Sequence, residues 1–433
     1  MYFLGMYLFV MVMLPVVLIK ANSHKEEWIL LLLIMSFVKT CAAYLFQATA
    51  VFTVVTIGSI QVHLDDIVLM ILLGYCLLAV SHPFLAGQYL AATMYFVVPV
   101  LISLLRGALN GTIGSSQFLS DTRVFILFLS ALFAMYFLIR KPKSISRLWV
   151  FEKYIRNLMN GMVVFILFIW VLDVGFGINY LPGQYNGTLS DAGSTFRMVN
   201  PPQVLMIALY TLWEMSRDLE KKREISLRTL VFTAVIILMQ WRTVIVAFLS
   251  GFVLVLLGSM KKSRISKKLA AEIVGLAVLL AGVLVVSGDS SRILKMVYKV
   301  FSSFANIMNG TGTFSTRTAV WTEIIQSLVG VNFLFGRPFG QSLGLSWTAS
   351  AHNGYIDCLA KMGIVGVIGL IILMVFLVRK AIKQKQSVIA ILVISLSVYW
   401  LGYGFSVEQG ALIGFFLGML ELSEKGKLEE TTN

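Results

Sequence analysis

The stretch SAHNGYIDCLAKMGIVG, residues 350–366, sets His352, Asn353 and Asp357 where a polar segment meets a long apolar one. An imidazole is well suited to moving a proton near neutral pH. A junction between loop and span, with Asn353 alongside, is a place where such a base is held and oriented. Asp357 falls one position past the i+4 neighbour of His352, off its helical face, and is a lesser candidate. Four arginines flank other apolar runs: Arg197 in FRMVNPP, Arg242 in MQWRTVIVAFLSG, Arg317 in STRTAVW and Arg337 in FGRPFG. The planar guanidinium matches phosphate oxygens, and several together can hold a diphosphate without a metal. Each of these residues also has a plainer reading. A single arginine near a membrane interface snorkels to lipid headgroups, and a single histidine is as readily a satisfied structural side chain. Glu408, in GFSVEQG, either orients a base or caps a helix.

The remaining polar residues carry less. Asp65 and Asp66 in HLDDIVLM read as helix caps in preference to metal ligands. Lys39, inside the apolar run SFVKTC, marks either function or a break in a helix. Asp173 in WVLDVGFG stands late in a span and could pair with an arginine. Cys41, Cys76 and Cys358 form no CxxC pair, so neither a disulfide framework nor a zinc site is indicated. A phosphate-binding glycine loop ending in Gly-Lys-Ser/Thr is lacking, which argues against ATP-driven transport, and there is no HExxH. A membrane enzyme or a secondary transporter remains.

The elements that must position these residues follow from composition. Of 433 residues, 58% are hydrophobic and 13% charged, where a soluble domain carries about 25% charged residues. Apolar runs fall at 1–19, 28–48, 64–82, 86–106, 123–140, 157–176, 201–216, 227–240, 243–260, 269–287, 363–378, 387–404 and 409–422. The piece 49–60 is a further crossing or a re-entrant segment. The expected fold class is all-α: a polytopic integral membrane protein of about 12–14 transmembrane helices, a single transmembrane domain over 1–433. The first run has no basic n-region and no small-residue cleavage site, so it reads as a retained helix.

The net charge of +14 is expected to lie in cytoplasmic loops and not to serve nucleic acid. RKPKSISR, RDLEKKR, KKSRISKK and RKAIKQK are short, basic and poor in acid, so the positive-inside rule makes all four cytoplasmic, along with the C-terminus. The segment 177–200, the tight turn near Gln240 and the long loop 289–362 then face outward. That loop carries RILKMVYKVFSSFANIM (292–308), with the spacing of an amphipathic helix on the membrane face. The candidate arginines on this outer face run against the positive-inside bias, and an anionic ligand accounts for them.

These pieces resemble the O-antigen ligase and polymerase family of membrane glycosyltransferases. WRTVIVAFLSG opens a span, STRTAVWTEII is followed by the Gly-rich LFGRPFG, and SAHNGYIDCLAKMGIVGVIGL sets a His-Asn pair before a glycine-marked span. The match covers about 242–370, and the N-terminal half agrees by hydropathy alone. One departure is that Trp241 stands where family members often carry Ser or Thr before the first arginine.

The resemblance implies glycan transfer from a polyprenyl-diphosphate-linked oligosaccharide on the outer face of a bacterial cytoplasmic membrane, with no metal, no nucleotide sugar and no other cofactor. Residues matching Arg197, Arg242 and Arg317, joined by Arg337, would hold the donor's diphosphate. His352, with Asn353 and Glu408 beside it, would assist the acceptor hydroxyl or position the diphosphate. A polymerase transfers the growing chain to a fresh lipid-linked repeat unit of a surface polysaccharide, O-antigen, capsule or exopolysaccharide. A ligase moves the finished chain to another acceptor. The number of outer arginines favours two anionic substrates, hence a polymerase. A flippase and a chain-length regulator are candidate partners beside the bilayer itself. The alternative of another class is a flippase or exporter of lipid-linked oligosaccharide, which would want its cations in a central cavity between repeated halves. No repeat is visible here.

Overall fold

The computed structural model describes residues 53–57, 60–63, 71, 73–74, 76, 87–140, 144–171, 200–220, 226–239, 241–260, 313–342 and 351–432. Expectations for the apolar runs 1–19, 28–48 and 269–287, for the amphipathic stretch 292–308, and for Lys39, Cys41, Asp65, Asp66, Asp173 and Arg197 lie outside these residues. Helices dominate: α1 Gln88–Leu109, α2 Ser116–Arg140, α3 Ser144–Trp170, α4 Pro201–Glu220, α5 Leu227–Leu238 and α6 Arg242–Met260. They continue as α7 Thr313–Ser327, α8 Val331–Phe335, α9 Gly354–Lys383, α10 Ser387–Tyr399 and α11 Val407–Thr432. Most lie on an apolar run of the sequence, whereas α7 and α8 fall within the long loop 289–362.

Within the piece expected to be a crossing or a re-entrant segment, the structure has a two-stranded antiparallel hairpin, β1 Thr53–Ile57 with β2 Ile60–His63. The β-branched residues of TVVTI favour a pleated strand over a helix.

Among the described residues, three helices are long and apolar enough to cross a bilayer: Gln88–Leu109, Ser116–Ile139 and Gly354–Lys383. Their faces agree with that role. On α1, Tyr95, Val98, Leu101, Leu105 and Leu109 form an exposed apolar stripe, while Tyr89, Phe96, Val100 and Ser103 on the other side are buried. Ile368, Ile371, Val375 and Ile382 form a similar stripe on α9. Lengthwise apolar stripes with no aqueous purpose are what a lipid-facing helix presents. The chain is an all-α polytopic membrane protein.

The described residues divide into two compact units. One draws on 150–314 and packs α4 against α5 and α6. Inside it, Tyr210 donates to Glu214 at 2.7 Å, Arg228 pairs with the same buried carboxylate, and Arg217 pairs with Glu152. Ser226 caps α5 by accepting from the Thr229 N–H. The other unit draws on 50–149 and 315–433 and contains α1, α2 and α7–α11. There α11 runs against α2, and α9 against α1 and α10.

Candidate active site

Asn353 positions the opening motif. Its side-chain oxygen accepts from the Tyr355 and Ile356 N–H groups at 3.0 and 3.1 Å, capping α9. Its amide donates to Leu401 O at 2.9 Å, and the Gly354 N–H donates to Trp400 O at 2.8 Å. Gly354 sits tight against Trp400, where an added Cβ would lie 3.1 Å from the indole side chain. The residue before the cap, His352, has φ 49°, a conformation that L side chains avoid. Such strain persists only where neighbours impose it. Asp357 is one such neighbour, accepting from the Ala351 N–H at 3.3 Å, and the Trp321 indole of α7 holds Ala351 O at 2.7 Å.

α9 is not one straight helix. Gly363, at φ 66° and ψ −168°, divides it into a short half, 354–362, and the span proper. Tyr355 and Met374 line the same groove, yet along an unbroken helix they would stand roughly 28 Å apart at 1.5 Å per residue. The short half therefore runs back beside the span. The Tyr355 hydroxyl donates to Ser397 O at 3.0 Å, in the last turns of α10. The site is recessed as a result. Phe405 packs on Phe125 with ring centroids 5.5 Å apart, and Phe125 lies roughly 14 Å along α2 from its Ser116 end. The loop 400–406 and the His352 corner meet at that depth, where irregular backbone is tolerated only inside protein or along a cavity.

Among the sequence candidates, Arg317, His352 and Asn353 come together. Arg317 is half-buried on α7 and donates to Gly402 O at 3.2 Å. The His352 ring lies 6.0 Å from that of Tyr403. Its side chain is reached by solvent, yet the packed protein around it, and secondly the Arg317 cation, hold its pKa below the ordinary 6.5. That environment favours the neutral imidazole. Glu408 is buried in the first turn of α11, and the Tyr399 ring stands 5.6 Å from that of Tyr403. Arg337 turns back on its own loop, donating to Ser342 O at 2.7 Å. Arg242 opens α6 in the first unit.

Several residues of this unit escaped the sequence reading. Tyr403 faces the histidine, and Trp321 fixes the backbone before it. Lys361 and Asp121 form a buried pair at 2.7 Å. Arg106 donates to Phe335 O, Gly336 O and the Asn332 side chain, closing the C-terminal end of α8. An ionisable residue two positions before a glycine in an apolar stretch was the available signal for Lys361.

A groove of about 470 Å³ between α9 and α10 adjoins the His352 corner. Tyr355 and Leu401 form the end nearest Asn353, and Met374, Val375, Val378, Ile394 and Val398 carry it along the span.

The sequence model of the O-antigen ligase family matches residues 228–371, from α5 through Arg242, Arg317, Arg337 and His352 to just past the break in α9. This bears out the resemblance read from the motifs. Among curated proteins, none matches the chain.

Proposed function

We propose, for a chain whose residues 228–371 match the O-antigen ligase family, that it polymerises a surface polysaccharide. The growing glycan passes from its polyprenyl diphosphate to a lipid-linked repeat unit on the outer face of the membrane. The observation that carries this reading is the meeting of His352 and Arg317 in a recess beside an apolar groove. The acceptor hydroxyl oxygen attacks the anomeric carbon of the donor. The bond from that carbon to the diphosphate breaks, polyprenyl diphosphate leaves, and the neutral His352 takes the hydroxyl proton. Arg317 stabilises the charge gathering on the leaving diphosphate, and the groove takes part of the lipid chain. The resemblance, and not the geometry, assigns Arg197 and Arg242 to the diphosphate as well. Metal and nucleotide are not needed for this chemistry.

The family description itself favours a second reading, a ligase that delivers the finished glycan to another acceptor. One experiment separates the readings. Purified protein in lipid is given a polyprenyl-diphosphate oligosaccharide, with and without EDTA, and product length is followed on a gel. A ladder of longer lipid-linked products supports the polymerase. Transfer only when a different acceptor is supplied makes it a ligase. Movement of unextended substrate across liposomes, with no transfer, makes it a transporter and overturns both.

A further inference from the structure

We infer that the buried Asp121–Lys361 pair is a positioning device that fixes the half-helix beginning at the His352 corner; its consequence for turnover rests on the glycan-transfer reading. The break at Gly363 detaches 354–362 from the axis of its span, so packing of the span does not dictate where the His352 end lies. The far end of the half-helix is held by directed bonds. Lys361 Nζ donates to Asp121 Oδ2 at 2.7 Å and to Gln341 O at 3.3 Å. The same carboxylate oxygen accepts from the Gly340 N–H at 3.0 Å, and Oδ1 accepts from Gln117 at 2.9 Å. Backbone bonds frame the pair: the Arg337 N–H donates to Ala360 O at 2.8 Å, and the Ser103 hydroxyl to Lys361 O.

Three elements meet there: α2, the loop 336–342 and the half-helix. Both side chains are nearly sealed from solvent, Lys361 at 7% and Asp121 at 8% exposure. A buried ion pair adds little net stability over an apolar pair of the same volume. It does require one geometry, because both oxygens and the ammonium have assigned partners. Apolar contacts would hold the same elements together while allowing them to slide. Lys361 stands roughly 13 Å along the half-helix from its His352 end, so it acts through placement and not by touching substrate.

The test uses the full chain in lipid, with Cys41, Cys76 and Cys358 replaced by alanine and His352→Cys introduced as a reporter. Labelling of the reporter by a water-soluble maleimide is timed alongside thermal unfolding. The decisive variant is Asp121→Leu with Lys361→Met, which replaces the charged pair with apolar side chains of similar reach and removes the directed bonds. The expected result is a change in labelling rate of about fivefold or more at nearly unchanged unfolding temperature. The exchanged pair, Asp121→Lys with Lys361→Asp, returns the rate toward that of the parent. An unchanged labelling rate in the folded apolar variant overturns the inference. So does a labelling change that appears only together with global unfolding in both double variants. With His352 restored, the apolar variant should lose about 100-fold in kcat with little change in KM, the cost of a misplacement near 1 Å. A parent protein that transfers no glycan refutes the functional reading alone, since labelling decides placement without turnover.

Discussion

Along the contact between α2 and α11, Gly410 and Gly414 let two backbones meet, and Gly418 makes room for the Ile139 side chain. A Cβ at Gly410 would lie 2.2 Å from Phe128 O, and one at Gly414 would lie 2.1 Å from Leu132 O. Around Gly363 the means are different. There Leu334 O would stand 2.2 Å from an added Cβ, and the surrounding grip comes from Arg106, Ser103, Asp121 and Lys361. In lipid, helices gain little from hydrophobicity when they associate, so close van der Waals approach between small residues holds the first region. The second region contains loop backbone at the depth of spanning helices, and its polar groups must all be paired inside protein. Small residues serve where two regular surfaces only need to adhere. Directed bonds serve where an irregular segment must present one side chain in one orientation.

This contrast can be broken from either side. The largest effect is expected from His352→Ala, which should lower transfer by about 10²–10⁴-fold through loss of proton transfer, while the unfolding temperature in lipid stays near that of the parent. Gly414→Leu should do the reverse. Overpacking against the α2 backbone should remove about 1–3 kcal/mol of stability or more, read as a lower yield of folded protein and a lower unfolding temperature.

Arg317→Gln sharpens the comparison within the site. In the proposed reaction neutral His352 is the working form, so the rate should fall as pH drops through its depressed pKa, below the ordinary 6.5. Removing the Arg317 cation takes away one of the two causes of that depression. The acidic limb of the pH–rate profile should then move to higher pH, while a wholly structural Arg317 would leave it in place. Trp321→Phe deletes the bond to Ala351 O and should cost about 1 kcal/mol, visible in thermal unfolding. Arg337→Ala should have the least effect, within about 0.5 kcal/mol, because its guanidinium braces a surface loop.

Much of the helical framework was legible in the sequence. The runs 86–106, 227–240 and 243–260 correspond to α1, α5 and α6 within a few residues, while 123–140 and 387–404 fall on α2 and α10 but differ by seven residues at the start of α2 and by five at the end of α10. The run 363–378 begins at the very glycine that breaks α9. Arg317, His352 and Asn353 were legible too, because chemistry-bearing side chains at the ends of apolar runs stand out against their surroundings. The hairpin at Thr53–His63 was missed, since an apolar run of a few β-branched residues has no period long enough to separate strand from helix.

By itself the sequence determined that this is a helical membrane protein, where many of its helices lie, and that a histidine and an asparagine mark a junction. Those features depend on local composition and on a period of a few residues. Tertiary structure alone decided that the junction folds back into the helices, that Arg317 stands by His352 while Arg337 turns away, and that Lys361 meets Asp121 across 240 residues of chain. Nothing in a local pattern encodes which distant carboxylate will answer a buried ammonium. That choice is made when the backbone turns at Gly363 and leaves each polar group in the recess a small set of partners within reach.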